Sequence, residues 1–133
     1  MDAPDIGLIS PVLLVRDTPV SLAFYRDRLG FAVTHQDDPE KPAFGIVQRG
    51  GAMLMFKDVG VPPVPNRQRH EWARWDAYLY VPNPDALAAE FSSRQIEFSA
   101  PLKDSPDGGL RGFELRDPDG YVLFFGRPRP STT

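Results

Sequence analysis

The sequence predicts an α+β fold built from two tandem β-α-β-β-β modules. Three observations carry this. Apolar runs of strand length recur along the chain, each bounded by proline, glycine, asparagine or aspartate. Two polar-capped segments that begin with proline, one entered at Thr18 and one at Asn83, read as helices. The order of elements then repeats: Val15–Pro19 aligns with Val81–Asp85 at an offset of 66, and Gly51–Phe56 with Gly120–Phe125 at an offset of 69. Self-similarity of this kind marks a duplicated structural unit, and loop length absorbs the three-residue difference.

Each element follows from local chemistry. Ile9–Val15 (ISPVLLV) reads as a strand. Pro11 has no N–H to donate, which places that strand at an edge or seam. Thr18 is the expected N-cap, Pro19 suits the first helical position, and Gly30 suits the stop after Val20–Leu29. Phe31–Gln36 is β-like, and Asp37–Pro42 is a polar loop. Ala43–Arg49 and Ala52–Lys57 flank Gly50-Gly51, a hairpin signal. Asp58–Ala73 is a proline-rich, basic loop. Trp75–Val81 is a strand, Asn83 caps a helix over Pro84–Arg94, and Ile96–Ser99 is a short strand. Ala100–Gly109 reads as a loop, and Gly112–Arg116 with Tyr121–Gly126 forms a closing hairpin around Asp-Pro-Asp-Gly. This gives one domain: module 1 over about 7–57, a linker over 58–73, module 2 over about 74–127, and a frayed tail at 128–133.

Composition limits the function. At 133 residues the chain can bury roughly two-thirds of its unfolded surface, enough for a core without staples. It has no cysteine, which excludes disulfides, thiolate metal sites and a cysteine nucleophile and fits a reducing cytosol. The net charge is −3 with no basic stripe, so nucleic acid is not an expected partner. The acidic N-terminus (MDAPDIG) lacks the basic start and apolar core of a signal peptide. No apolar run approaches the ~20 residues of a membrane span. The expected location is the cytoplasm. There is no Ser-His-Asp order, P-loop or GxGxxG, and Gly108-Gly109 has no helix after it to cradle phosphate.

Four stretches together resemble the vicinal oxygen chelate superfamily, which holds glyoxalase I, extradiol dioxygenases, and fosfomycin and bleomycin resistance proteins. They are Pro11–Phe31 (PVLLVRD…SLAFYRDRLGF), Phe44–Phe56, Val81–Phe91 and Phe113–Phe125 (FELRDPDGYVLFF). The likeness spans about residues 8 to 127 and is strongest to the bleomycin resistance-like branch. It implies paired modules whose strands form an open, cupped mixed sheet, with helices on the convex side. It also implies a homodimer whose crevices bind small molecules.

The superfamily's metal enzymes carry ligands on the concave face, two per module. Counting from Asp17 and Asn83, and by the offset of 69, the corresponding positions are Ser10, Met55, Asp76 and Phe124. Only Asp76 is a credible ligand, and one carboxylate does not hold a catalytic divalent ion. Phe124 stands where the family often has a glutamate. The chain has just two histidines: His35 reads as a half-exposed strand residue and His70 as a solvated loop residue or a ligand contact. No metal or other cofactor is expected, and no catalytic residue is assigned. Asp76 has two readings: a carboxylate facing a cationic ligand group, or a seam residue bonded to Arg74 or a backbone N–H.

Strand alternation assigns the faces. Ser10, Val12, Leu14, Met53, Met55, Asp76, Tyr78, Tyr80, Val122 and Phe124 share the concave parity. Leu13, Val15, Leu54, Phe56, Ala77, Leu79, Val81, Leu123 and Phe125 share the other, uniformly apolar one. Trp72 and Trp75 stand before the fifth strand, near one rim. The expected ligand-binding residues are Trp72, Trp75, Asp76, Tyr78, Tyr80, Met53, Met55, Phe113 and Phe124; aromatic filling of a core or dimer interface is the alternative. The favoured function is metal-free sequestration of an aromatic compound, cationic in one reading, in a dimer crevice. A glyoxalase- or dioxygenase-like enzyme and a biosynthetic accessory module stay open beside it.

Overall fold

The computed structural model describes residues 3–128. The chain divides into two compact units after Pro63, within the expected linker.

In the first unit, β1 (Val12–Leu14) leads into α1 (Thr18–Ala23), which continues as a π-helical turn over Phe24–Arg28. Three strands follow: β2 (Ala32–Gln36), β3 (Phe44–Arg49) and β4 (Ala52–Lys57). They form one sheet in the order β1-β4-β3-β2, with β1 parallel to β4 and the other pairs antiparallel. β1 is thus an edge strand, where Pro11 removes no ladder bond. The N-cap is Asp17, not Thr18: Asp17 is extended (φ −153°, ψ 102°) and its side chain accepts from the Val20 amide. Thr18 turns its hydroxyl inward instead and donates to the Ala43 carbonyl at 2.9 Å. Gly30 ends the helix at φ 74°, a conformation costly for other residues. Val15, Leu22, Tyr25, Leu29, Phe31, Val47, Leu54 and Phe56 form the core.

In the second unit, a single turn, α2 (Asn66–Arg69), interrupts the expected loop. It is too short to leave a 3.6-residue periodicity in the sequence. Then come β5 (Ala77–Tyr80), α3 (Pro84–Ser93), β6 (Ala100–Asp104), β7 (Leu110–Arg116) and β8 (Val122–Pro128). Asn83 caps α3 by accepting from the Ala86 amide at 3.0 Å. The sheet order is β5-β8-β7-β6, with β5 parallel to β8. β8 runs on to Pro128, the first residue of the expected frayed tail; the rest of that tail lies outside the described residues. One face carries α3, whose Phe91 meets Phe113 and Phe125 edge-on at 5.9 and 5.4 Å.

The short strand expected at 96–99 is displaced to Ala100–Asp104. The chain at 95–96 is still closing α3: Gln95 takes φ 61° and the Ile96 amide bonds back to Phe91. Sheet pairing starts only where the Ser99 amide reaches the Glu114 carbonyl at 2.8 Å. APLKD looks like a loop because of Pro101 and its charges, yet β6 is an edge strand with a register shift between Ala100 and Lys103, where both are tolerated.

The architecture is α+β, with the strands in two four-stranded mixed sheets, one per tandem module. Val12 lies opposite Met55 in one unit and Tyr78 opposite Phe124 in the other. These equivalent pairs stand at the offsets of 66 and 69 that the sequence repeat carries.

Candidate functional site

β8 alternates sharply. Leu123 and Phe125 pack beneath α3, which sends Val122 and Phe124 to the opposite face. Because β5 and β8 pair in parallel, Tyr78 and Tyr80 rise beside them on that same face. Trp75, just before β5, stacks on Phe124 with ring centroids 4.3 Å apart and planes 24° apart. Tyr78 lies 5.2 Å from Phe124 and 5.5 Å from Trp75, and Tyr80 lies 4.5 Å from Tyr78. Tyr80 is 77% exposed, so the cluster runs from a buried end to an open one. Phe124 is 9% exposed. Its ring lies against Gly112 and Gly126, where an added Cβ would come within 2.6 and 2.5 Å of it. The glycines are the floor that lets the ring lie down.

Tyr78 Oη is buried without a hydrogen-bond partner among the described residues. Burial, and then the neighbouring Tyr80, push its phenol above the ordinary tyrosine range. Tyr121 is raised too, first by burial and then by the charges of Asp119, Asp117 and Asp76. A raised phenol leaves stability intact below the ordinary value of 10.0. Stability then falls as pH rises from there through the folded-state values, because the unfolded chain ionises first. Ultraviolet titration of tyrosinate is expected to give a late-titrating class accompanied by alkaline unfolding. Simultaneous titration of all four tyrosines near the ordinary value, with no loss of structure, would contradict this.

On β7, next to this cluster, stands a carboxylate absent from the residues expected to bind ligand. Glu114 lies opposite Phe124 in the ladder and is 5% exposed. Ser99 donates to its Oε1 at 2.9 Å, while the Trp75 indole and Arg74 donate to Oε2 at 3.2 and 3.4 Å. Parity counting across the β7–β8 hairpin would have put Glu114 on the cluster's face. With Arg67, Glu71, Arg74, Ser99 and Arg116 it lines a polar pocket of about 190 Å³.

The other expected site residues divide. Asp76 accepts from the Asn66 amide with Oδ1 and from the Val122 amide with Oδ2, both at 2.8 Å. Of its two sequence readings, backbone bonding describes these contacts. Phe113 is fully buried on the helix side, stacked on Phe98 and Phe125 at 4.6 and 5.3 Å, and does not join the cluster. Its ladder partner is Phe125, and opposed residues share a face. Trp72 is 81% exposed and meets only the His70 ring among the described aromatics. Its replacement by alanine is expected to change stability by under about 0.5 kcal/mol in chemical denaturation. Met53 and Met55 lie half-buried on β4 of the first unit, alternating with buried Leu54 and Phe56. His35 is exposed on β2, 5.9 Å from Phe44.

The family model for the glyoxalase/bleomycin resistance protein/dioxygenase superfamily matches residues 7–125. The chain belongs to this superfamily. Among solved structures, the bleomycin-binding protein from Streptomyces verticillus, in complex with copper(II)-bleomycin, is 27% identical with a TM-score of 0.68; the match covers 96% of this chain and 100% of that one. TioX from Micromonospora sp. ML1 superimposes with a TM-score of 0.72 at 19% identity, over 91% and 98% of the two chains. TnmS3, an antibiotic-binding protein from Streptomyces sp. CB03234, gives 0.71 at 18%, over 96% and 100%. At those identities the last two establish the fold alone. No curated protein sequence matches the chain.

At the positions that the resemblance assigns to the superfamily's metal ligands, this chain carries few donor atoms. Phe124 offers no donor atom, Met55 only a thioether, and Asp76 has each oxygen engaged by a backbone amide. Among the described residues no three His, Cys, Asp or Glu side chains come together to hold a metal ion. The donor set does not fit the superfamily's catalytic metal. No helix is long and apolar enough to cross a membrane among the described residues.

Proposed function

We propose that this protein binds an aromatic small molecule without a metal ion, in the manner of the bleomycin resistance branch, and works as a homodimer. The observation that carries the reading is the stacked Trp75–Phe124 pair, opening through Tyr78 to the exposed Tyr80 ring. Phe124 fills a position the superfamily's enzymes give to a metal ligand. Aromatic rings offer broad, rigid contact area at low entropic cost, and a planar ligand can extend the stack. Kinship with a protein solved in complex with copper(II)-bleomycin supports binding as the task. A cationic ligand group gains little support, because Asp76 is committed to two backbone amides.

The dimer is supported by an exposed apolar run, Ile6, Leu8, Ile9, Val12 and Leu14, leading into and along the edge strand β1. A second copy covering it would bury well over ~1,000 Å². Light scattering at micromolar concentration should give twice the chain mass; a monomer would count against the assembly.

Binding is tested by tryptophan fluorescence with planar aromatic compounds, on protein purified without chelator and assayed for metals. Quenching is expected, with far less than one equivalent of Zn, Mn, Fe or Ni. Tyr80→Ala should leave stability nearly unchanged, because the ring is exposed, and should weaken binding by roughly tenfold through lost ring contacts. Stoichiometric metal held by protein side chains, or no response to any aromatic compound, would defeat the reading.

A further inference from the structure

The polar pocket beside the aromatic cluster has a charge pattern that selects among ligands. Three guanidinium groups reach it from separate elements: Arg67 from α2, Arg74 from the segment before β5, and Arg116 from the end of β7. Two carboxylates oppose them. Glu114 is buried, with its charge shared among Arg74, the Trp75 indole and Ser99. Glu71 is exposed. No ion pair ties Arg67 or Arg116 to another of the described residues. On a chain of net charge −3, this is a local excess of positive charge.

The pocket and the rings lie side by side on one sheet face. In the β7–β8 ladder, Glu114 lies opposite Phe124 and Arg116 opposite Val122, so all four share one face of the sheet. Trp75 belongs to both: its indole nitrogen bonds Glu114 while its ring stacks on Phe124. Glu114 therefore fixes the orientation of Arg74 and Trp75 together.

We infer that the ligand is a planar aromatic acid, whose ring lies on the Trp75–Phe124–Tyr80 cluster and whose oxyanion sits among Arg67, Arg74 and Arg116. Guanidinium groups hold carboxylates and related oxyanions through paired, charge-assisted hydrogen bonds. A pocket of about 190 Å³ admits such a group with water around it. The inference rests on the aromatic-binding reading and adds the charge of the ligand.

Isothermal titration with three matched probes tests it: 2-naphthoate, its neutral amide, and 2-naphthylmethylammonium. Naphthoate is expected to bind about tenfold more tightly than the amide, the scale of one hydrogen bond to a charged group, and the ammonium most weakly. Raising salt should narrow the gap. The double variant Arg67→Gln/Arg116→Gln replaces two exposed side chains, so melting temperature checks that it folds. In it the naphthoate-to-amide affinity ratio should collapse toward one. Equal affinity for naphthoate and amide in the native protein, preference for the ammonium, or an undiminished ratio in the double variant would overturn the anionic assignment and leave aromatic binding standing. Failure of all three probes to bind would overturn both.

Discussion

Phe124→Ala is expected to destabilise the protein by about 3–5 kcal/mol in chemical denaturation, the range for deleting a packed phenylalanine. The ring is 9% exposed, stacks on Trp75 at 4.3 Å and touches Tyr78. Its far edge lies over Gly112 and Gly126, two residues with no side chain to move into the space. A site floored by glycine backbone cannot collapse readily, which puts the loss at the upper part of that range. The Trp75 ring also loses its stacking partner while its indole stays tied to Glu114, so its fluorescence should shift with the unfolding transition. Phe124→Leu should recover much of the stability but not the stacking, and aromatic-ligand affinity should stay low. A Phe124→Ala loss under about 1 kcal/mol would mean that the ring is not packed as described.

Asp76→Ala is expected to cost about 3 kcal/mol. Each carboxylate oxygen accepts from a backbone amide, Asn66 at the start of α2 and Val122 at the start of β8. Hydrogen bonds to a charged group contribute about 1.5–3 kcal/mol each, and partial exposure of Asp76 places the sum at the lower end. Asn66 also reaches the Trp75 carbonyl with its side chain, so α2 is fastened to the entry of β5 from both sides. With the clamp removed, amides 66 and 122 should exchange hydrogen faster than the centre of β8. Asp76→Asn keeps size and one good acceptor but points an NH₂ at one of the two amides, so about half the loss is expected. Stability within about 0.5 kcal/mol of the native protein after Asp76→Ala would remove the clamp from the account.

Much of the fold is legible in the sequence because its signals are local. The Asn-Pro helix entry, the glycine stop at Gly30 and the Gly50-Gly51 hairpin each set backbone geometry within a few residues. Alternation along β4, β5 and β8 separates an apolar parity from a mixed one, and so gives the helix-facing and open faces. Repetition of those signals at offsets of 66 and 69 adds the duplicated topology, and the resemblance to the superfamily implies that Phe124 stands where its metal enzymes often carry a ligand.

What only the tertiary structure decided depends on pairing between distant segments. Glu114 meets Trp75 and Arg74 across 39 and 40 residues of chain, and no local pattern encodes that encounter. Phe113 reads as one more aromatic candidate until its register against Phe125 puts it under α3. β6 begins four residues later than its sequence suggests because the chain must first close α3 through Gln95 and Ile96. Asp76 looks like a ligand until two backbone amides arrive from α2 and β8 to claim its oxygens. Side-chain periodicity fixes which way a residue points from its own strand. Which residue it then meets is fixed by the register of backbone hydrogen bonds between strands, and that register exists only once the sheet has formed.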